Sequence, residues 1–276
     1  MSDEKKSTAV NPAYFVNENS IVRQIWGKSD VILLIFAGAS AEFALNKAVD
    51  WLYFTGRLPA DPIARLFSTV AYARAIIFSE KQSALDTIDA MTRIHAGVEA
   101  KRAIKIPDEA YRDVLFMLID YSIRAYEVLE RKLNRNEKNE VLGIFRNVGN
   151  RMGLKSLPET LEDWELMRQN HLDQNMVYSH YTGDLFIQYR KHLGRMRYSI
   201  LLEAQSLIVP QKVRELLKLR KASLLFPLIP IFKVISRIKA DRVLKEFIFP
   251  SKFKKEIHAL NFMHAKPESA THAMPA

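Results

Sequence analysis

Three polar residues are spaced in a way that could build a chemical site. Arg65 and Thr69 are four residues apart, so they share one face of a helix. His95 is the one polar member of an apolar stripe at helical spacing that comprises Leu85, Ile88, Met91 and Val98. Imidazole can ligate a metal or transfer a proton, and a guanidinium binds anionic groups. A core-facing histidine is also commonly a structural residue hydrogen-bonded to a neighbour, so both interpretations of His95 stay open.

Two helices packed back to back are predicted to carry these residues. Asp61 and Pro62 are typical of a helix start, because an N-cap acceptor precedes a proline at the first helical position. Ser79 and Gln82 have the spacing of a capping box that opens the second helix. We therefore expect Arg65 and Thr69 on the first helix and His95 on the second.

The segment before these helices is strongly apolar. Residues 31–36 form a continuous apolar run that is too short to span a bilayer, which takes about 20 residues. A buried strand or a buried helix fits such a run. We favour a helix, because no other segment offers a strand partner. Gly38 is expected to end it, and a further helix is expected over residues 39–54.

The rest of the chain also predicts helices. Only 9 Gly and 11 Pro occur in 276 residues, which indicates few turns and long helices. Helix starts are expected at Pro107–Asp108, at Asn134–Glu137 and at Thr160–Asp163, and another helix over residues 197–209 should stop at Pro210. The predicted fold class is all-α, with a single multi-helix globular domain.

The composition excludes several kinds of chemistry. The chain has no cysteine, so disulfides, thiolate ligands and cysteine nucleophiles are absent, and a metal or haem would be held by His, Tyr, Met or carboxylates. No Gly-rich phosphate loop, GxSxG or HExxH motif occurs. The other histidines share no ligand spacing, so we interpret them as surface or packing residues: His171, His180, His192, His258, His264 and His272.

Positive charge is concentrated near the C-terminus. Residues 211–260 hold 13 Lys/Arg and 4 Asp/Glu, a net charge of +9 in a chain whose net charge is +10. They enclose an apolar patch, residues 224–232, beside Lys233, Arg237, Lys239, Arg242 and Lys245. Either this segment contacts an anionic membrane surface, or the patch packs on the core beneath a solvated basic face. Nucleic acid is not an expected partner, because no recognition motif is present.

The chain resembles the MpaB-type oxygenase and rubber oxygenase (latex-clearing protein) family over roughly residues 22–220. Residues 62–69 match the family's proline, then arginine, then threonine one turn later, here Arg65 and Thr69. Residues 93–96 match the histidine of the next helix, here His95. Residues 146–160 resemble its segment with a glycine and then a proline before the next helix, and residues 164–175 resemble its long polar helix.

The resemblance implies an all-helical domain with haem b in an interior pocket. His95 would be the proximal ligand of the iron, and Arg65 and Thr69 would lie by the haem, on its distal side or near its propionates. The activity implied is O2-dependent oxidative cleavage or oxygenation of an apolar, isoprenoid-like substrate. The alternative is a helical protein without enzymatic activity that binds lipid or a membrane surface, with His95 as a core residue.

The chain departs from the rubber oxygenases at two places. Those enzymes have a lysine before the threonine that can cap the iron, and Ser68 occupies that position here. They also use a distal carboxylate as a proposed base, for which Glu42 and Asp50 are the candidates in this chain. The overall pattern is closer to the MpaB branch.

Composition, charge and the resemblance together divide the chain. We expect a flexible arm over residues 1–21, a haem-binding domain over residues 22–220, basic and apolar C-terminal helices over residues 221–260, and a disordered tail over residues 261–276. The first 20 residues lack the apolar run of a secretory signal. A cytoplasmic protein is therefore expected, peripheral at a membrane if the basic C-terminal segment contacts lipid.

Overall fold

The computed structural model describes residues 13–54, 56 and 60–237 of the chain. This part is an all-α single domain, as predicted, and it contains no strand beyond two isolated β-bridges. In chain order the helices are α1 (Ile21–Trp26), α2 (Ser29–Phe43), α3 (Asp50–Phe54), α4 (Pro62–Phe78), α5 (Lys81–Arg102), α6 (Asp108–Leu129), α7 (Arg135–Arg151), α8 (Leu161–Gln174), α9 (His180–Ile208), α10 (Gln211–Leu216) and α11 (Ile229–Arg237). Short 3₁₀ turns precede α3 and α11.

The core is built on the close packing of α2 against α6. Helix α2 is apolar on nearly all sides and almost entirely buried, so the helical interpretation of residues 31–36 is confirmed. The predicted break at Gly38 is wrong, because α2 continues to Phe43. A Cβ at Gly38 would lie 2.3 Å from the Tyr121 ring, so this glycine permits close approach of two helices instead of ending one.

Local capping signals placed most helix starts correctly. The Asp61 side chain accepts from the Ala64 N–H at 3.0 Å and opens α4. Asn134 and Glu137 form the capping box of α7, and Thr160 caps α8. The capping box predicted at Ser79 is wrong: Ser79 ends α4, and α5 begins only after Glu80, whose side chain makes no capping hydrogen bond.

One long helix changes direction within its length. Helix α9 runs from His180 to Ile208, but Gly194 has φ +75° and ψ 169°, which is not helical. A glycine adopts this backbone conformation without a Cβ clash. The predicted helix over residues 197–209 corresponds to the part of α9 after this kink, and it ends before Pro210 as expected.

The chain ends are described only in part. Residues 1–12 and 238–276 lie outside the described residues, as do Lys239, Arg242, Lys245 and the expected disordered tail. Within the expected N-terminal arm, Val16 is fully buried and the Ala13 carbonyl accepts from the Lys81 N–H at 2.8 Å, so residues 13–20 pack on the domain. None of the described helices is both long enough and apolar enough to cross a membrane.

Candidate functional site

His95 lies in the second half of α5, where this helix packs against α4. Its ring is half-buried and meets the Tyr111 ring of α6 edge-on, with the ring centroids 5.2 Å apart. The apolar stripe that predicted this placement is only partly covered: Ile88 is buried, whereas Met91 and Val98 are half-buried. His95 thus occupies the edge of the helical packing, where a ligand could reach it.

The imidazole of His95 is held in its neutral form. Burial lowers its pKa, and the nearby Arg65 guanidinium lowers it further, against an opposing effect of Glu99. Its Nδ1 atom is buried and has no hydrogen-bond partner within the described residues. A structural histidine would be expected to form a hydrogen bond with a neighbour. The Nδ1 atom of His95 forms none within the described residues. A neutral imidazole is also the form that binds a metal.

Arg65 lies close enough to His95 for its charge to lower the pKa of the imidazole. Thr69 follows one turn later on α4, and its hydroxyl donates to the Arg65 carbonyl at 3.2 Å. The Ser68 hydroxyl donates to the same carbonyl at 2.8 Å. Both hydroxyls therefore form hydrogen bonds within α4. The Arg65 guanidinium instead affects α5, because its charge lowers the pKa of His95.

Glu99 organises the turn that follows His95. One of its carboxylate oxygens accepts from the Ile106 N–H at 2.9 Å and from the Tyr111 hydroxyl at 3.2 Å. Ala103, with φ +55°, reverses the chain between α5 and α6. These hydrogen bonds fix the position of Tyr111, and with it the ring against which His95 packs.

The two candidate carboxylates occupy very different places. Glu42 is fully buried; burial alone would raise its pKa, but Arg168 and His171 together outweigh burial and lower the pKa to about 2. Such a weak base, bound on both oxygens, is a poor proton acceptor. Asp50 is one-third exposed and accepts from Arg102 of α5 at 2.7 Å. Asp50 is therefore the candidate that contacts the helix of His95.

Glu42 belongs to a buried charged cluster that the sequence interpretation missed. Arg168 of α8 contacts Glu42 of α2 at 2.5 and 2.6 Å and Asp120 of α6 at 2.9 Å. The Tyr121 hydroxyl donates to Glu42 at 2.9 Å. These side chains join three helices that are far apart in sequence. The available signal was Glu42 itself, because a carboxylate inside an apolar helix needs a buried partner.

His171, which we interpreted from the sequence as a surface or packing residue, is buried and extends this cluster. Its Nδ1 lies 2.6 Å from Asp113, and its Nε2 lies 3.4 Å from Glu42 without making a hydrogen bond. Burial alone would lower the pKa of His171, but the Asp113 and Glu42 carboxylates raise it above the ordinary value. Asp113 also accepts from Asn46 at 2.9 Å, which connects the cluster to the turn before α3.

The chain belongs to the family described as ER-bound oxygenase mpaB/B'/Rubber oxygenase, catalytic domain, whose family model matches residues 24–229. Comparison with curated proteins and with solved structures gave no match. Within the described part of the chain, no group of three or more His, Asp or Glu side chains is arranged to hold a metal ion. A haem iron differs from such a site, because the porphyrin supplies four ligands and the protein can supply a single histidine.

Proposed function

We propose that this protein is a haem b-dependent oxygenase that oxygenates or oxidatively cleaves an apolar, isoprenoid-like substrate. Membership of the oxygenase family supports the reaction class. The observation that carries the haem assignment is His95, whose neutral imidazole has a buried and unpartnered nitrogen beside a cationic arginine. These residues fit a haem, because the iron takes one imidazole and the propionates take cationic donors.

Each residue of the site has a distinct role in this proposal. His95 would ligate the iron, and the Tyr111 ring, fixed by Glu99, would limit rotation of the imidazole. Arg65 provides positive charge beside the histidine, and Thr69 places a hydroxyl one turn further along α4. Haem, when bound, would supply the activation of O2, and both oxygen atoms of O2 would become carbonyl oxygens if a carbon–carbon double bond is cleaved.

Apolar side chains near the site support an apolar substrate. Ile94 precedes His95, Ile104 follows the end of α5, and Val114 lies one turn after Tyr111 on α6; all three are exposed. Exposed apolar residues close in sequence to a polar centre are compatible with a surface that binds an apolar ligand.

The absorbance spectrum of the purified protein, supplemented with haem, tests this function. The wild type should show a Soret band with one haem per chain. His95→Ala should lose stoichiometric haem while remaining helical by circular dichroism. His180→Ala is the matched control, because His180 is an exposed histidine that stacks on Tyr181. A colourless wild type, or a full and unchanged Soret band in His95→Ala, would contradict the proposal.

The second proposal concerns attachment to an anionic membrane surface through residues 211–260. A specific observation favours it over the alternative in which the apolar patch packs on the core: Leu224, Phe226, Leu228 and Ile231 are each more than half exposed. Lys218, Arg220 and Lys221 are exposed just before this patch. Apolar side chains flanked by basic ones suit the interface of an anionic bilayer.

A further inference from the structure

Arg102 is the last residue of α5 and is held firmly in place. One terminal nitrogen, Nη2, donates to Asp50 at 2.7 Å. The guanidinium carbon lies 4.0 Å from the centroid of the Trp51 ring and 5.3 Å from that of Phe54. Helix α3 thus supplies both the ion pair and the aromatic faces that orient this side chain.

The other terminal nitrogen of Arg102 is not used. Nη1 is buried and has no hydrogen-bond partner among the residues described here. A buried donor without an acceptor is unfavourable, and its most favourable partner is a carboxylate, which forms a charge-assisted hydrogen bond. Asp50 already orients the guanidinium, so a second acidic group could bind Nη1 once the atoms that cover this nitrogen move aside.

Arg102 also lies on the same side of α5 as His95. The two residues are seven apart, which is two helical turns and about 10.5 Å along the axis. Glu99 lies between them, but one of its oxygens already accepts from Ile106 and Tyr111. A flat ligand bound by the His95 imidazole and extending along α5 would bring a peripheral acidic group toward Arg102.

We propose that Arg102 binds a propionate carboxylate of the haem held by His95. This inference rests on the function proposed above, and it adds an anchoring residue that is separate from Arg65. Asp50 and Trp51 act as positioning residues, because they orient the guanidinium and do not themselves contact the carboxylate. The consequence is selectivity: the site should prefer a porphyrin with free propionates to one in which they are neutral.

The experiment compares haem with its dimethyl ester, in which the propionates carry no charge. The rate at which each porphyrin leaves the protein is measured by transfer to an excess of a haem-acceptor protein. Wild type should release the ester faster than the free acid. Arg102→Gln should release the free acid about 10-fold faster than wild type, since one charge-assisted hydrogen bond is lost, and should scarcely change ester release.

Two further variants complete the design. Arg93→Gln removes an exposed arginine from the same helix and should keep the wild-type ratio of ester to acid release rates. Arg102→Lys keeps the charge and should give an intermediate ratio, which covers the case that Arg102→Gln fails to fold. An unchanged ratio in both Arg102 variants, or no acid preference in wild type, would overturn the inference. Failure of wild type to bind either porphyrin would instead remove the proposed function and this inference with it.

Discussion

The buried charges of Glu42 and His171 make the stability of the domain depend on pH in two opposite ways. The folded-state pKa of Glu42 is lowered from 4.5 to about 2, so its contribution is present above pH 4.5 and is lost as the pH falls toward 2. The pKa of His171 is raised above 6.5, so its contribution is present below pH 6.5 and is lost as the pH rises through the folded-state value. These two groups therefore favour a stability maximum in mildly acidic solution.

Glu42→Gln should separate these contributions. The variant should be less stable than wild type at pH 7, because Arg168 loses one of its two charged partners and keeps only Asp120. It should also lose less of its remaining free energy of unfolding between pH 4.5 and pH 2.5, since the group that is protonated in this range is gone. Urea unfolding midpoints at several pH values provide the measurement. Glu109→Gln, which alters an exposed carboxylate of α6, is the control and should keep the wild-type pH profile. Parallel profiles for wild type and Glu42→Gln would show that Glu42 does not titrate as described.

Packing between helices is tightest where α2 crosses α6. Gly38 faces the fully buried ring of Tyr121, and a Cβ there would lie 2.3 Å from the Cε1 atom and 2.4 Å from Cδ1. The ring cannot move aside easily, because its hydroxyl is bound to Glu42. Glycine has a lower helical propensity than alanine, but at position 38 it allows α2 to approach α6 closely.

Gly38→Ala should destabilise the domain by about 1–3 kcal/mol, as overpacking of a filled core does. Gly143→Ala, within α7, is the matched control, because a Cβ at Gly143 meets nothing within 4 Å. That change should stabilise the protein by about 0.5–1 kcal/mol, the helical advantage of alanine over glycine. Free energies of unfolding from urea denaturation report both values. Equal effects of the two substitutions would mean that contact with Tyr121 does not determine the choice of glycine.

The sequence predicted those elements that are encoded locally. Asp61, Asn134 and Thr160 identified helix starts because a cap needs only residues within one turn. The capping box predicted at Ser79 was wrong, because a short polar side chain fits the end of one helix as well as the start of the next. The helix break predicted at Gly38 was wrong, because the glycine is needed for packing against the Tyr121 ring. That ring lies 83 positions away along the sequence, beyond any local pattern.

In the candidate site, too, residues on adjacent helices were predicted together, whereas pairs distant in sequence were not. Arg65 and His95 were predicted together from two adjacent helices and from a family resemblance, and the structure places them near each other. Arg102 and Asp50 were not recognised as a pair, since they belong to helices separated by α4. Arg168 and Glu42 are 126 residues apart, so no local pattern could connect them.

At the scale of the whole molecule, the proposed membrane surface and the His95 site are far apart. Helix α11 contacts the C-terminal end of α6, where the Lys233 ammonium donates to the Glu130 carbonyl at 3.2 Å. Tyr111, which packs on His95, lies near the other end of α6. Glu130 is 19 positions after Tyr111, which corresponds to about 28 Å of helix. Substitutions in the C-terminal patch should therefore leave the His95 site intact.

Co-sedimentation with lipid vesicles tests the membrane proposal. Wild type should bind vesicles that contain anionic lipid, and binding should fall between 0.1 M and 1 M salt, where the Debye length shortens from about 10 Å to about 3 Å. Replacing Lys218, Arg220 and Lys221 with Gln should weaken binding strongly, because each basic residue near an anionic surface adds about 1 kcal/mol.

The apolar half of the same surface has its own matched pair of variants. Serine at Phe226 and Ile231 should release the protein from anionic vesicles, because insertion of apolar side chains is lost. Serine at Leu166 and Ile187, which are exposed to a similar degree on α8 and α9, should not. All of these variants should bind haem as wild type does if the two sites are independent. Wild type that stays in the supernatant with anionic vesicles at low salt would instead identify this segment as a structural element with a solvated basic face.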